Sequence, residues 1–215
     1  MASGFFLVLE GVEGAGKTTQ ARLIGEWLDQ LGIPHRLARE PGGTAIGESI
    51  RGLLLDRRDD RVDAETELLL MLAARAAYVK EVVGPVLEKG WVMVSDRFEL
   101  SSFAYQAVGR GLGLERVRAL NAFATGGLKP DLTLVFDLPV TIGRARQLAA
   151  GKVEDRIEGA GTAFLESVGA AYRSLAGADD TVRLVDASGA ETEVHQAVKD
   201  LLRSLFPEPF ASGRG

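Results

Sequence analysis

Apolar residues along this chain gather in short runs separated by longer stretches with helical spacing. The runs are FFLVLE at 5–10, HRLAR at 35–39, WVMVSD at 91–96, LTLVFD at 132–137 and TVRLVD at 181–186. Between the first two, residues 17–31 carry Leu23, Trp27, Leu28 and Leu31 at the three- and four-residue intervals of one helix face. Strand-length runs alternating with helices predict an α/β fold: a five-stranded parallel sheet flanked by helices on both faces. In such sheets ligands sit beyond the carboxyl ends of the strands. The residues closing each run are therefore the first candidates for chemistry: Glu10, Glu40, Asp96 with Arg97, Asp137 and Asp186. Gly32 and Pro34 punctuate the end of the first helix, and Pro41, Gly42 and Gly43 form a second tight loop. No internal repeat or long linker interrupts residues 1–206, which read as one domain, and 207–215 read as a frayed tail.

The first run leads directly into GVEGAGKTT, residues 11–19. Gly11, Gly16, Lys17 and Thr18 satisfy G-x-x-x-x-G-K-[ST], a loop whose backbone N–H groups curl around phosphate oxygens. In that motif the lysine reaches the β- and γ-phosphates and the hydroxyl helps to hold Mg²⁺. Its place between a strand and a helix is the context the motif requires. The nucleotide-binding set is then Gly11, Val12, Glu13, Gly14, Ala15, Gly16, Lys17, Thr18 and Thr19, with Asp96 as a second Mg²⁺ candidate.

Composition narrows the class further. A net charge of −5 and a pI near 5.2 argue against a surface that holds long nucleic acid, whereas a small anion needs only a local cationic pocket. Without cysteine the chain has no disulfide and no thiolate zinc site, and His35 and His195 lack ligand spacing. No secretory signal pattern or eighteen-residue apolar stretch is present, so the cytoplasm is expected and no membrane contact. A guanine-selecting N-K-x-D segment is also missing, which argues against a GTP-driven switch.

A loop that holds a phosphate donor calls for an acceptor pocket, and four polar segments supply candidates. They are REPGGT at 39–44, Arg51, TELLLMLAAR ending at Arg75, and SDRFELSSFAYQ at 95–106. Singly, these also fit a turn, solvated helix arginines or a strand-end ion pair. Together they offer planar guanidinium forks that match phosphate oxygens.

GVEGAGKTT, REPGGT, TELLLMLAAR, DRFELSSFAYQ, GRGL, KPDLTLVFDLP and the late DRIE resemble thymidylate kinases, from about residue 5 to residue 205. The resemblance implies the P-loop nucleoside monophosphate kinase fold, phosphoryl transfer from ATP to dTMP, a mobile lid at about 143–161 and a homodimer. It implies that Arg97 and Arg51 bind the acceptor phosphate, with Glu13 near the acceptor sugar and the transferring group. Arg75 and Ser102 would read the thymine edge, Gln106 would support the base, and Tyr105 would fill the space of a 2′-hydroxyl. Glu40, Pro41, Met71 and Ser101 complete the expected acceptor site, and Arg144 or Arg146 would lie over adenine, with the Asp186–Gly189 loop as a wall. Another small-molecule kinase of the same fold, acting on a different nucleoside monophosphate or a coenzyme precursor, is the alternative.

The chain departs from the family pattern at several positions, Leu100 and Ala107 of the DRFELSSFAYQ stretch among them. Met71 stands where many members stack a phenylalanine on thymine, and core filling is its other reading. Gly14 stands where some members carry a loop arginine; the others bring cations on the lid. Just before the lid glycine, Ala150 replaces a frequent arginine, and the stretch to DRIE is one residue longer, so the expected cations are Lys152 and Arg156.

Overall fold

The computed structural model describes residues 4–55, 62–152 and 155–210. Five strands, β1 (Phe5–Glu10), β2 (His35–Arg39), β3 (Val92–Asp96), β4 (Leu132–Asp137) and β5 (Val182–Asp186), form a parallel sheet in the order β2-β3-β1-β4-β5. Each falls on one of the five apolar runs, β3 and β5 beginning one residue late. β1 is central and buried throughout, because its two faces are both covered. Phe5, Leu7 and Leu9 point into a core with Ile24, Trp27 and Leu28 of α1 (Lys17–Gln30). Phe6 and Val8 point the other way, onto Tyr78, Val82, Val83 and Val86. β2 is an edge strand with mostly exposed or half-buried residues, so its run reads as less apolar than the others.

The helices that shape the site are α2 (Ala45–Leu55), α3 (Ala64–Tyr78) and α5 (Glu99–Ser102). α3 starts on Asp63, whose carboxylate accepts from the N–H of Thr66 at 2.7 Å. It continues through a π-helical turn, Val79–Val83, into α4 (Gly84–Glu88). α5 opens likewise into a π-helical segment, Phe103–Gly109, and this wider winding re-aims Tyr105 and Gln106 relative to a regular helix. α6 (Leu114–Thr125), α7 (Val140–Ala149), α8 (Thr162–Ala176) and α9 (Glu191–Leu205) complete the layers.

The expected frayed tail fails at its start. Pro207–Phe210 form a helical turn, α10, with Phe210 fully buried, stacked on Trp27 at 5.6 Å and edge-on to Phe5 at 5.3 Å. Phe210 thus fills the gap between β1 and α1. Residues 211–215 lie outside the described residues.

Candidate active site

The loop after β1 is shaped by glycines with positive φ, Gly11 at 136°, Gly14 at 75° and Gly16 at 91°. Gly14 also meets α7 closely: a Cβ there would stand 2.3 Å from the carbonyl oxygen of Gly143, and a Cβ on Gly143 would stand 2.4 Å from that of Glu13. Two glycines thus let α7 lie against the phosphate loop. Lys17 is buried and donates to the carbonyls of Gly11 and Val12 at 3.0 and 2.9 Å. Burial, with Arg97 nearby, pulls the pKa of its ammonium below the ordinary lysine value. Thr18 Oγ1 donates to Asp96 Oδ2 at 2.7 Å, so the two expected Mg²⁺ groups are together.

Two cavities meet at a wall made by Glu13, Glu40, Arg51 and Arg97. The cleft expected to take the phosphate donor runs along residues 13–20 and is bounded by Arg146, Gln147, Ala150 and Lys152 on one side and by Ala187, Gly189 and Ala190 on another. Gly11 and Val12 give it backbone support only, Val12 being part of the core. Arg146 donates to the carbonyl oxygens of Ala187 and Ser188 at 3.1 and 3.4 Å, tying α7 to the loop after β5. Arg144 is different from expectation: it bonds Thr162 Oγ1 at the start of α8 and does not line the cleft, because it projects from another side of α7.

The second cavity, the expected acceptor cavity, is lined by Pro41, Met71, Arg75, Ser101, Ser102, Tyr105 and Gln106, together with the shared wall. All the expected acceptor residues are therefore brought together. Arg97 closes β3 with φ 75°, a left-handed conformation that costs a side-chain-bearing residue about 1 kcal/mol or more. The turn is fixed by its own backbone, whose N–H donates to Leu9 O at 2.9 Å and whose carbonyl accepts from Ser95 Oγ at 2.7 Å. It swings the guanidinium to Glu13 at 2.6 Å and Ser101 at 3.1 Å, with the Tyr105 ring 5.4 Å beneath. Lys17 above all, then Arg97 and Lys152, outweigh burial and hold the Glu13 carboxyl down at about 2.

Arg75 is pinned by four acceptors: Glu40 Oε2 at 2.9 Å, Ser102 Oγ at 3.0 Å, Asn121 Oδ1 at 2.9 Å and Phe98 O at 2.9 Å. Among the described residues that leaves one of its five N–H groups without an acceptor. Glu40 is buried, its Oε1 has no hydrogen-bond partner among the described residues, and burial pushes its carboxyl up to about 7 despite Arg75. Arg51 donates to Pro41 O at 3.0 Å. Met71 is half-buried and belongs to both readings, since it lines the cavity and also packs on the core.

Arg156 departs most from expectation. It donates to Leu54 O at 3.0 Å and to Glu67 Oε2 at 2.8 Å and does not line the donor cleft. The buried Glu67 carboxylate outcompetes an open cleft for it. Its neighbours Asp155 and Ile157 line the acceptor cavity instead.

Sequence reasoning also missed the supports. Glu10, fully buried, accepts from the N–H groups of Phe98 and Ser101 at 2.9 and 3.0 Å and from Ser101 Oγ and Tyr172 Oη at 2.6 and 2.8 Å. Its strand-end position flagged it; nothing local flagged Tyr172 or Asn121. Asp137 pairs with Arg173 at 2.9 Å and Asp186 caps its own loop through Ser188, as structural carboxylates do.

This geometry has counterparts in known proteins. A family model described as thymidylate kinase matches residues 9–198. The chain belongs to the thymidylate kinase family. It is 47% identical over 205 residues to a thymidylate kinase of Ectopseudomonas mendocina (strain ymp), covering 95% of this chain and 97% of that one. A thymidylate kinase of Pseudomonas fluorescens (strain SBW25) is 46% identical over 205 residues, with the same coverage of both chains. Among solved structures, a thymidylate kinase from Ehrlichia chaffeensis superposes with a TM-score of 0.77 at 26% identity, over 93% of this chain and 99% of that one.

Proposed function

We propose that the chain transfers the γ-phosphoryl group of ATP to dTMP, yielding dTDP for dTTP synthesis. The observation that carries this reading is the shared wall: Glu13, Glu40, Arg51 and Arg97 face both the donor cleft and the acceptor cavity. Phosphoryl transfer needs alignment and positive charge more than covalent chemistry. Lys17 and the loop amides hold the donor phosphates, and Arg97 and Arg51 hold the acceptor phosphate at the junction. No general base is needed, because the attacking phosphate oxygen is already ionised. Arg75, Ser102 and Gln106 address the base, and Tyr105 favours a deoxyribose.

Mg²⁺ fits the hydroxyl–carboxylate pair of Thr18 and Asp96, since this ion takes one or two protein oxygens and completes its shell with phosphates and water. Bound there, it would neutralise charge on the donor phosphates. Lys152 is the lid cation that lines the donor cleft, and its field reaches Glu13. The protein acts as a homodimer in the cytoplasm on this reading. Leu53, Leu69 and Phe123, on the neighbouring helices α2, α3 and α6, turn large apolar side chains outward, as a subunit interface would use. No helix among the described residues is long and apolar enough to cross a membrane.

The test is transfer of label from γ-labelled ATP into dTDP. Lys152→Ala should lower turnover about a hundredfold with little change in the KM for dTMP. Label that appears only in inorganic phosphate contradicts the reading, and a Lys152→Ala enzyme with normal turnover removes the lid cation from it.

A further inference from the structure

Glu67 is buried to the same degree as the residues of the central strand, yet it is a carboxylate. Its two oxygens take four donors. Oε1 accepts from Gln106 Nε2 at 2.9 Å and from Arg110 Nε at 3.3 Å; Oε2 accepts from the terminal nitrogens of Arg110 and Arg156 at 3.1 and 2.8 Å. Those bonds use the lone-pair capacity of an ionised carboxylate in full. Burial works against the charge, but the bonds from Gln106, Arg110 and Arg156 outweigh it and keep the carboxyl below the usual range.

What these donors belong to gives the cluster its meaning. Gln106 lines the acceptor cavity from the π-helical segment. Arg156 sits between Asp155 and Ile157, which line the same cavity, and its Nε bond to Leu54 O adds the end of α2, where Leu55 is also a lining residue. Glu67 itself lies four and eight residues before Met71 and Arg75, on the face of α3 that turns to the cavity. One carboxylate therefore connects three stretches of cavity wall that are far apart in the chain.

We propose that Glu67 is a positioning residue for the acceptor nucleotide: through Arg156 and Gln106 it sets the spacing of the walls that enclose dTMP, and Arg156 acts as its anchor in place of a cation for the transferring group. The inference rests on the acceptor cavity being the dTMP site. A misplaced wall weakens acceptor binding and leaves the donor cleft, whose lining includes neither Glu67 nor Arg156, undisturbed.

Steady-state kinetics of Glu67→Gln, Arg156→Met and the double variant separate the possibilities, with thermal melts run alongside. Glu67→Gln keeps the shape but turns an amide N–H₂ toward a guanidinium, so the KM for dTMP should rise about tenfold or more while that for ATP stays within about twofold. Arg156→Met should show the same pattern, and the double variant should fall well short of the product of the two, because both act through one bond. Arg156 is at the edge of the cluster, so its variant decides the matter if Glu67→Gln does not fold. The proposal is overturned if Glu67→Gln lowers only the melting temperature and moves neither KM. It is equally overturned if Arg156→Met loses turnover about a hundredfold at unchanged KM for dTMP, the mark of a transition-state cation. Wild-type enzyme that fails to phosphorylate dTMP in the same assay would refute the functional reading instead.

Discussion

Replacing Gly14 with alanine places a methyl carbon 2.3 Å from the carbonyl oxygen of Gly143 and 2.6 Å from that residue's carbonyl carbon and Cα, all of them backbone atoms of α7 that cannot rotate away. Ordinary contact would require α7 or the loop to move by about 1 Å. The backbone at position 14 has φ 75°, where a Cβ costs a further ~1 kcal/mol. Adding an overpacking penalty of about 1–3 kcal/mol gives a loss of roughly 2–4 kcal/mol, which in a chain of this size lowers Tm by about 5–15 °C. The strain falls on α7, which carries Arg146 and Gln147 of the donor wall. The KM for ATP should therefore rise by about tenfold, the equivalent of 1.4 kcal/mol, with a smaller effect on dTMP. Thermal melts and kinetics with each substrate varied in turn give both quantities. A Gly14→Ala protein with the wild-type melting temperature and an unchanged KM for ATP would refute the reasoning. The same contact explains why the loop carries no arginine here: a long side chain at 14 and α7 in its present position exclude each other, so the cation must come from elsewhere.

Two further outcomes are expected. Tyr105→Ala should narrow the kcat/KM gap between dTMP and its ribose counterpart, with a general loss of activity because the ring also supports Arg97; an unchanged ratio removes Tyr105 from sugar selection. Glu40 holds its proton in the folded state up to about pH 7 while the unfolded chain releases it near 4.5, so its contribution is full below about 4.5 and is lost as pH rises through 7. Melts from pH 4.5 to 7.5 should show the wild type losing up to about 3 kcal/mol against Glu40→Gln, and parallel curves for the two proteins would contradict the shift.

The sheet was legible because four of its parallel strands are short apolar runs, and the rule about their carboxyl ends pointed to several residues that the fold brings to the candidate site, though Asp137 and Asp186 proved structural. Glu10, Glu40, Asp96 and Arg97 all stand where that rule put them. Motif spacing pointed to Lys17 and Thr18, and the resemblance to thymidylate kinases pointed to Arg75 and Tyr105. The misses have a common physical cause. Arg144 and Arg156 are cations within the expected lid stretch, but where a guanidinium goes depends on which acceptor is nearest in space, and Thr162 and Glu67 are contributed by other helices. Tyr172 and Asn121 are invisible for the same reason, each being an ordinary helical residue until the fold sets it beside Glu10 or Arg75. Glu67 did leave a trace in TELLLMLAAR, because Glu67, Met71 and Arg75 are spaced four apart on one helix face. Phe210 left none, since its burial depends on a gap that only the packed sheet and α1 create.

The central claim is that this cavity selects dTMP as the phosphoryl acceptor. It is tested most directly by a coupled assay with ATP as donor and dTMP, AMP, GMP and CMP as competing acceptors, measured as kcat/KM for each. The arrangement of Arg75, Ser102, Tyr105 and Gln106 around the acceptor cavity predicts that dTMP has the highest value. Faster phosphorylation of AMP, GMP or CMP than of dTMP would contradict it.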